Sequence, residues 1–138
     1  MRIWHLIALY FALATSAGAT DITPNCKDPQ SNLEMKMCAG QALTKAEAEL
    51  EVAFDRALKA AESQYESVRH ELGFEKMPNM PDELRKAERA WEAFREVNCG
   101  YQNLVYYGGS MASLAVTGCR LDMTKARIKE LNDLVEPG

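Results

Sequence analysis

Apolar residues recur every three or four positions through three long stretches of the chain, a period typical of amphipathic helices. The first stretch ends before Gly73, and a connection with two prolines, 75–81, separates it from the second. A turn at 28–31 leads into this first stretch, so we predict one long helix from about Glu34 to Leu72. Its apolar positions are Leu43, Ala46, Leu50, Phe54, Ala57, Leu58, Ala61, Tyr65, Val68 and Leu72.

Two further helices complete the predicted fold. The second should run from Asp82 to Asn98, because Pro81 and the acidic residues after it suit a helix start. Its apolar stripe comprises Leu84, Ala87, Trp91 and Phe94. The third should begin with Ser110 as its N-cap, and Gly118 within it predicts a close packing contact. Its apolar face comprises Met111, Leu114, Leu121, Thr124, Ile128, Leu131 and Val135. The sequence therefore predicts an all-α fold, a small bundle of three main helices with the first one long.

The N-terminus has the form of a secretory signal. Arg2 precedes an apolar run, and small residues follow before Thr20. This run is too short to span a bilayer. We expect a signal peptide at 1–19 and a single helical domain at 20–138. A lipid anchor needs a cysteine directly after the cleavage site, where this chain has Thr20, so we expect a periplasmic or secreted protein without a membrane anchor.

Charge narrows the range of partners. The net charge is -4, and loss of residues 1–19 removes only Arg2 and changes it to -5. A chain without a run of lysines and arginines is a poor ligand for nucleic acid, and its acidic balance favours a basic partner. The sequence contains no nucleophile elbow and no phosphate-binding loop. Its acids, such as Glu47, Glu49 and Glu51, fall at helix-surface positions. We therefore expect a non-enzyme that needs no cofactor.

Four cysteines remain after the signal: Cys26, Cys38, Cys99 and Cys119. An even number in an oxidising compartment predicts two disulfides. Zinc is disfavoured because their spacings are 12, 61 and 20 residues and His70 is the only histidine in 20–138. Three pairings are possible. The predicted helix lengths favour Cys26 with Cys38 and Cys99 with Cys119, because the end of the second helix should lie far from Cys38.

Three segments together resemble the signature of the LprI-like family, exported bacterial proteins grouped as lysozyme inhibitors. They are "ERAWEAFREVNC" at 88–99, "YYGGS" at 106–110 and "CRLDMTKARIKEL" at 119–131. The matching positions in these segments are Glu88, Arg89, Trp91, Arg95, Cys99, Gly108, Gly109, Ser110, Cys119, Thr124 and Arg127. A fourth segment, "NLEMKMCAGQALTKAEAEL" at 32–50, resembles the opening element of the family through Glu34, Met35, Cys38 and Ala39. The resemblance covers about 26–134, nearly all of the predicted mature chain, and implies inhibition of a lysozyme.

The segment between Cys99 and Cys119 contains the candidate partner-binding residues. Exposed tyrosines beside glycines are common at protein-binding surfaces. The candidates are Tyr106, Tyr107, Gly108, Gly109 and Ser110. Two alternatives stay open at this point: the tyrosines cover the end of the bundle, or free N–H groups at the start of the third helix bind an anion. Four signature residues are expected to be structural, in the core or in ion pairs: Trp91, Arg95, Thr124 and Arg127.

Three functions are compatible with these features. The first is an inhibitor of a cationic lysozyme, steered by charge, that inserts Tyr106 to Ser110 into the cleft of the enzyme. The second is a cell-envelope interaction or immunity protein with another protein target. The third is a peptidoglycan-binding module that uses the tyrosines as stacking platforms.

Overall fold

The computed structural model describes residues 23–72 and 77–136. This part of the chain forms three helices and no strand: α1, Asn32–Leu72; α2, Met80–Val105; and α3, Ala112–Val135. The predicted all-α bundle of three helices is therefore confirmed, and α1, with 41 residues, is the longest. The predicted signal segment, 1–19, lies outside the described residues.

Side-chain caps define where α1 and α2 begin. The Ser31 hydroxyl accepts a hydrogen bond from the N–H of Glu34 (3.2 Å), and the Glu34 carboxylate accepts one from the N–H of Gln30 (2.7 Å). At the start of α2 the Asn79 side chain accepts a hydrogen bond from the N–H of Asp82 at 2.9 Å. These contacts satisfy N–H groups that have no partner within the helix, so each helix starts at a defined residue.

The core lies along the line where α3 packs against α1. Leu50, Ala53 and Ala57 of α1 and Leu131 of α3 are buried there. Small side chains on α1 let α3 approach closely, and α1 has its largest contact with α3. α2 contributes partly buried side chains to this core, among them Trp91.

The buried face of α2 differs from the predicted stripe. The buried residues of α2 are Pro81, Glu88 and Cys99. Phe94 is 59% exposed, and Ala87 is exposed as well, so their assignment to the apolar core face was wrong. The spacing of the inward positions is still helical, but polar side chains fill the positions one turn before and one turn after Trp91. The face that contacts α1 and α3 is consequently rotated away from Phe94.

The junction between α2 and α3 also differs from the prediction. α2 extends to Val105, seven residues beyond the predicted end at Asn98. α3 starts at Ala112, its N-cap position is Met111, and no side chain caps it, so the assignment of Ser110 as N-cap was wrong. The close contact predicted for Gly118 was wrong too, because a Cβ at this position would meet no atom within 4 Å.

Both favoured disulfides are present. Cys26–Cys38 joins the segment before α1 to α1, and Cys99–Cys119 joins α2 to α3. Their environments differ, because Cys99 is completely buried whereas Cys26 is exposed. No group of side chains in the described ranges is arranged to hold a metal ion. Within the same ranges, no helix has the length and apolarity needed to cross a membrane.

Candidate functional site

The turn between α2 and α3 depends on two glycines with different roles. Gly108 has a φ of +75°, which side-chain-bearing residues rarely adopt. A Cβ at Gly109 would lie 3.0 Å from the carbonyl oxygen of Tyr106, a tight contact that requires the backbone to shift by a few tenths of an ångström. That carbonyl accepts a hydrogen bond from the N–H of Gly109 at 2.8 Å. The glycine pair therefore sets the path of the backbone from one helix into the next.

Some backbone N–H groups of this turn already donate hydrogen bonds within the protein, which argues against an anion site at the start of α3. The N–H of Gly109 donates to Tyr106, and the N–H of Ala112, the first residue of α3, donates to the carbonyl of Gly109 at 3.2 Å. An anion-binding helix start needs several consecutive N–H groups without partners. The N–H groups of Gly109 and Ala112 are already used, which shortens the run of consecutive N–H groups that an anion could contact.

We use the name "the corner" for Tyr106, Tyr107, Gly108, Gly109 and Ser110. All five residues are exposed, and Tyr107 is exposed to 83%. Tyr101, one turn earlier on α2, is exposed as well. The tyrosines consequently do not cover the end of the bundle, which was the alternative interpretation of the sequence. Their aromatic rings are available to a partner without any movement of the helices.

Exposed apolar side chains are concentrated next to the corner. Eleven large apolar residues in the described ranges are exposed, and eight of them lie between positions 94 and 111. The eight are Phe94, Val97, Tyr101, Leu104, Val105, Tyr106, Tyr107 and Met111. A contiguous exposed apolar surface of this kind marks an interaction site more often than scattered single residues do.

Five signature residues of α2 and α3 form a largely buried group, which we call the signature cluster: Glu88, Trp91, Arg95, Thr124 and Arg127. Its strongest ion pair joins α2 to α3. Arg127 Nε and Nη2 lie 3.0 and 2.9 Å from Oε2 of Glu88, and the two side chains are only 13% and 9% exposed. Burial alone would lower the pKa of Arg127, but the carboxylates of Glu130 and Glu88 raise it above its ordinary value. Arg127 is therefore held charged.

Arg95 connects all three helices. Its Nη1 donates to the hydroxyl of Thr124 at 2.8 Å and lies 3.4 Å from the Glu47 carboxylate of α1. Its Nη2 lies 3.3 Å from Glu96 on its own helix. Thr124 is completely buried, so its hydroxyl needs a partner inside the protein, and Arg95 supplies it.

Trp91 precedes both arginines in the sequence, and its ring contacts both. The guanidinium carbons of Arg95 and Arg127 lie 5.2 and 5.8 Å from the centre of its ring, which is the range of cation–π attraction. With the neighbouring carboxylates of Glu47, Glu96 and Glu130, the cluster pairs both arginines and holds α1, α2 and α3 together. Within the described residues, only Nε of Arg95 in this group is buried without a hydrogen-bond partner. Its arginines are turned inward, which favours a structural role over contact with a partner.

The cluster and the corner are connected through the second disulfide. Cys99 follows Arg95 by one turn of α2, and Cys119 precedes Thr124 on α3. Near the bridge, the side-chain amide of Asn98 donates to the Met123 sulfur at 3.3 Å. Because the bridge and the cluster fix α2 against α3, the corner that joins the two helices is presented on a rigid support.

An apolar groove of about 480 Å³ lies at the other end of the bundle. It is lined by Ala57, Ala60, Ala61, Gln64, Met77, Pro78, Met80, Glu83, Leu84, Ala87 and Leu134. Leu84 is 22 residues from Tyr106, so the groove is roughly 30 Å from the corner along α2. The groove is therefore a separate feature and does not shape the corner.

Sequence reasoning located the corner but missed the apolar surface that leads to it. Phe94 was assigned to the core and Val97 was given no role. Leu104 was placed in the connecting loop, among several residues of which only some were expected to be exposed. Their spacing of three and four residues, together with Tyr101, was a usable signal. It was hidden because the second helix was ended at Asn98.

Comparisons with known proteins give a family and one relative. The family model described as "Lysozyme inhibitor LprI" matches residues 25–131. An uncharacterized protein of Rhizobium meliloti is 29% identical over 132 residues, which cover 94% of this chain and 92% of that protein. No solved structure matches the chain.

Proposed function

Because this chain belongs to the LprI family of lysozyme inhibitors, we propose that it is an exported protein that binds a lysozyme through the corner and blocks the enzyme's cleft. Family membership supports the class of target. Binding at the corner, occlusion of the cleft and a periplasmic or secreted location are our inferences. The protein acts by association and not by catalysis, as expected of an inhibitor.

The shape and exposure of the corner carry this proposal. Tyr107 projects from a turn that is set by Gly108 and Gly109, so little conformational entropy is lost when a partner covers it. Tyrosine is also among the residue types that contribute most to protein interfaces when they fill a pocket. A protruding aromatic corner on a rigid helical support suits insertion into an enzyme cleft.

Charge supports a cationic target. The chain has a net charge of -4, which becomes -5 after loss of the signal segment that contains Arg2. Complementary charge raises the association rate, and salt screens this contribution. We expect inhibition of a basic lysozyme to weaken as the ionic strength rises, mainly through slower association.

The direct test is a cell-wall lysis assay with purified mature protein, intact disulfides and representative lysozymes. Tyr107→Ala should weaken inhibition by at least about tenfold, which corresponds to roughly 1.4 kcal/mol of binding free energy. Val52→Ala is the matched control, because Val52 is 61% exposed on α1, away from the corner. This variant should inhibit like the unaltered protein.

Three results would contradict the proposal in different ways. Failure to inhibit any class of lysozyme at micromolar concentration would reject the target and favour a cell-envelope or immunity protein with another partner. Inhibition that Tyr107→Ala leaves unchanged would retain the target and reject the corner. Retention on purified peptidoglycan without an effect on lysozyme would favour the wall-binding alternative.

A further inference from the structure

The outward side of the second half of α2 carries no charge. We define the outer face of α2 as seven residues that are all exposed: Ala90, Ala93, Phe94, Val97, Gly100, Tyr101 and Leu104. They follow one another at helical spacing, on the side opposite the buried Glu88 and Cys99. Such a face on an exposed helix leaves its apolar area in water unless another surface covers it.

Large and small residues on this face are arranged in a complementary order about Val97. In an antiparallel pair of identical helices crossing at Val97, residues whose numbers add up to 194 lie at the same height. Leu104 then faces Ala90 of the other copy, Tyr101 faces Ala93, and Phe94 faces Gly100. Every pair combines one large and one small residue, which is how ridges of one helix fit the grooves of another.

We propose that this face is covered by the same face of a second copy, so that the protein forms an antiparallel α2–α2 homodimer with twofold symmetry. A twofold interface uses one self-complementary patch on both subunits, and the pairing about Val97 has this property. A Cβ at Gly100 would meet no atom within 4 Å, so the space needed by Phe94 of the other copy is open.

The order of the residues favours the antiparallel arrangement over a parallel one. Arg89 borders the face, and in the antiparallel register it lies at the height of the uncharged Val105, about 24 Å along the pair from Arg89 of the other copy. A parallel arrangement would place Ala93 opposite Ala93 and Phe94 opposite Phe94, so large and small residues would not complement one another.

The area is sufficient for a modest dimer. The exposed fractions of Phe94, Val97, Tyr101 and Leu104 are 59, 76, 63 and 63%. At roughly 150–200 Å² for a large apolar side chain, they give on the order of 400–500 Å² per copy, and the small residues of the face add to this. The pair would bury about 1,000 Å², the lower range for a specific interface. We therefore expect dissociation in the micromolar range.

The dimer leaves the corner accessible. Tyr107 lies ten residues from Val97, or about 15 Å along α2, beyond the last residue of the outer face. The two copies would present their corners at opposite ends of the helix pair. This inference is independent of the proposed lysozyme target, because it is tested without any lysozyme.

Sedimentation equilibrium of the mature protein provides the test, from about 5 to 200 µM in about 0.15 M salt. The mass should rise with concentration from that of one copy towards that of two. Val97→Glu should remain monomeric because it places two carboxylates at the symmetry axis. Val52→Glu, at another well-exposed valine, on α1, should associate like the unaltered protein. A strict monomer at 200 µM, or equal loss of association in both variants, would overturn the proposal.

Paired substitutions test the register. Ala93→Tyr should weaken association at least tenfold by placing two large rings at the same height. Adding Tyr101→Ala should restore it, because position 93 of one copy faces 101 of the other. Failure of this rescue, with unchanged helix content by circular dichroism, would reject the register.

Cross-linking tests the orientation with a different readout. All four native cysteines are paired, so an introduced cysteine is the only free thiol. Val97→Cys should form a covalent dimer under mild oxidation, whereas Leu104→Cys, which faces Ala90, should not. Equal cross-linking at both positions would indicate a parallel pair and contradict the proposal.

Discussion

Replacement of Arg127 by methionine is the most direct test of the signature cluster. The substitution keeps most of the side-chain length and removes the charge that faces Glu88. It also removes the 2.9 Å pair with Glu130 and the contact with the Trp91 ring. Glu88 would keep its position in the core, where its side chain is only 9% exposed.

The expected loss of unfolding free energy in Arg127→Met follows from the burial of Glu88. Breaking a buried ion pair from one side costs about 3–5 kcal/mol, because the remaining charge is left desolvated without a partner. The exposed pair with Glu130 adds at most about 1 kcal/mol. Since a domain of this size has a free energy of unfolding of about 5–15 kcal/mol, Arg127→Met should be among the most destabilising single changes in the protein.

Urea unfolding followed by far-ultraviolet circular dichroism measures this loss, with both disulfides intact. Adding Glu88→Met to Arg127→Met should recover at least about 2 kcal/mol, because no buried charge then remains. Lys129→Met is the matched control on the same helix. Its pair with Asp133 is exposed, so its removal should cost less than about 1 kcal/mol.

Two results would refute the reasoning. If Arg127→Met costs less than about 1 kcal/mol, the pair with Glu88 is not desolvated as its burial implies. Glu88→Met alone is measured as well. If the losses of unfolding free energy in Arg127→Met and Glu88→Met add up to the loss in the double variant, the two side chains do not depend on each other, and the cluster is not a coupled unit.

Two further predictions concern the turn and the disulfides. Gly108→Ala should lower the free energy of unfolding by about 1–3 kcal/mol because of the positive φ, whereas Gly118→Ala, in open space within α3, should raise it by about 0.5–1 kcal/mol. Urea unfolding measures both, and equal effects would contradict the assigned backbone conformation. Replacing Cys99 and Cys119 by alanine should lower the free energy of unfolding more than the same change at Cys26 and Cys38. Each bridge closes a loop worth about 3 kcal/mol, and only Cys99 is also completely buried. The order of thermal stability of the two double variants checks this, and the reverse order would contradict it.

Local patterns were sufficient for the general architecture. The period of apolar residues in α1, the prolines after Gly73 and the cysteine spacings depend only on neighbouring positions. They predicted three helices, a long α1 and both disulfide pairings. The corner could be proposed in the same way, because two adjacent glycines beside tyrosines carry a turn signal in themselves.

The boundaries of α2 and α3 could not be obtained from local signals. Asn98, Cys99 and Gly100 read as the end of a helix, yet α2 continues to Val105. The buried Cys99 and its bridge to Cys119 hold this part of α2 against α3, and this contact outweighs the weak helix propensity of Gly100.

The sequence by itself determined the class of fold, the number of helices and the family, because helical period and motif spacing are properties of the linear chain. Only the tertiary structure decided which side of α2 faces inward. Sequence reasoning placed Phe94 inside because apolar residues are usually buried, but Glu88 and Arg95 occupy the inward positions. They can do so because Arg127, Thr124 and Glu47, far away in the sequence, supply their partners. The same exchange leaves Phe94 and Val97 on the surface, on the face that we propose is covered by a second copy.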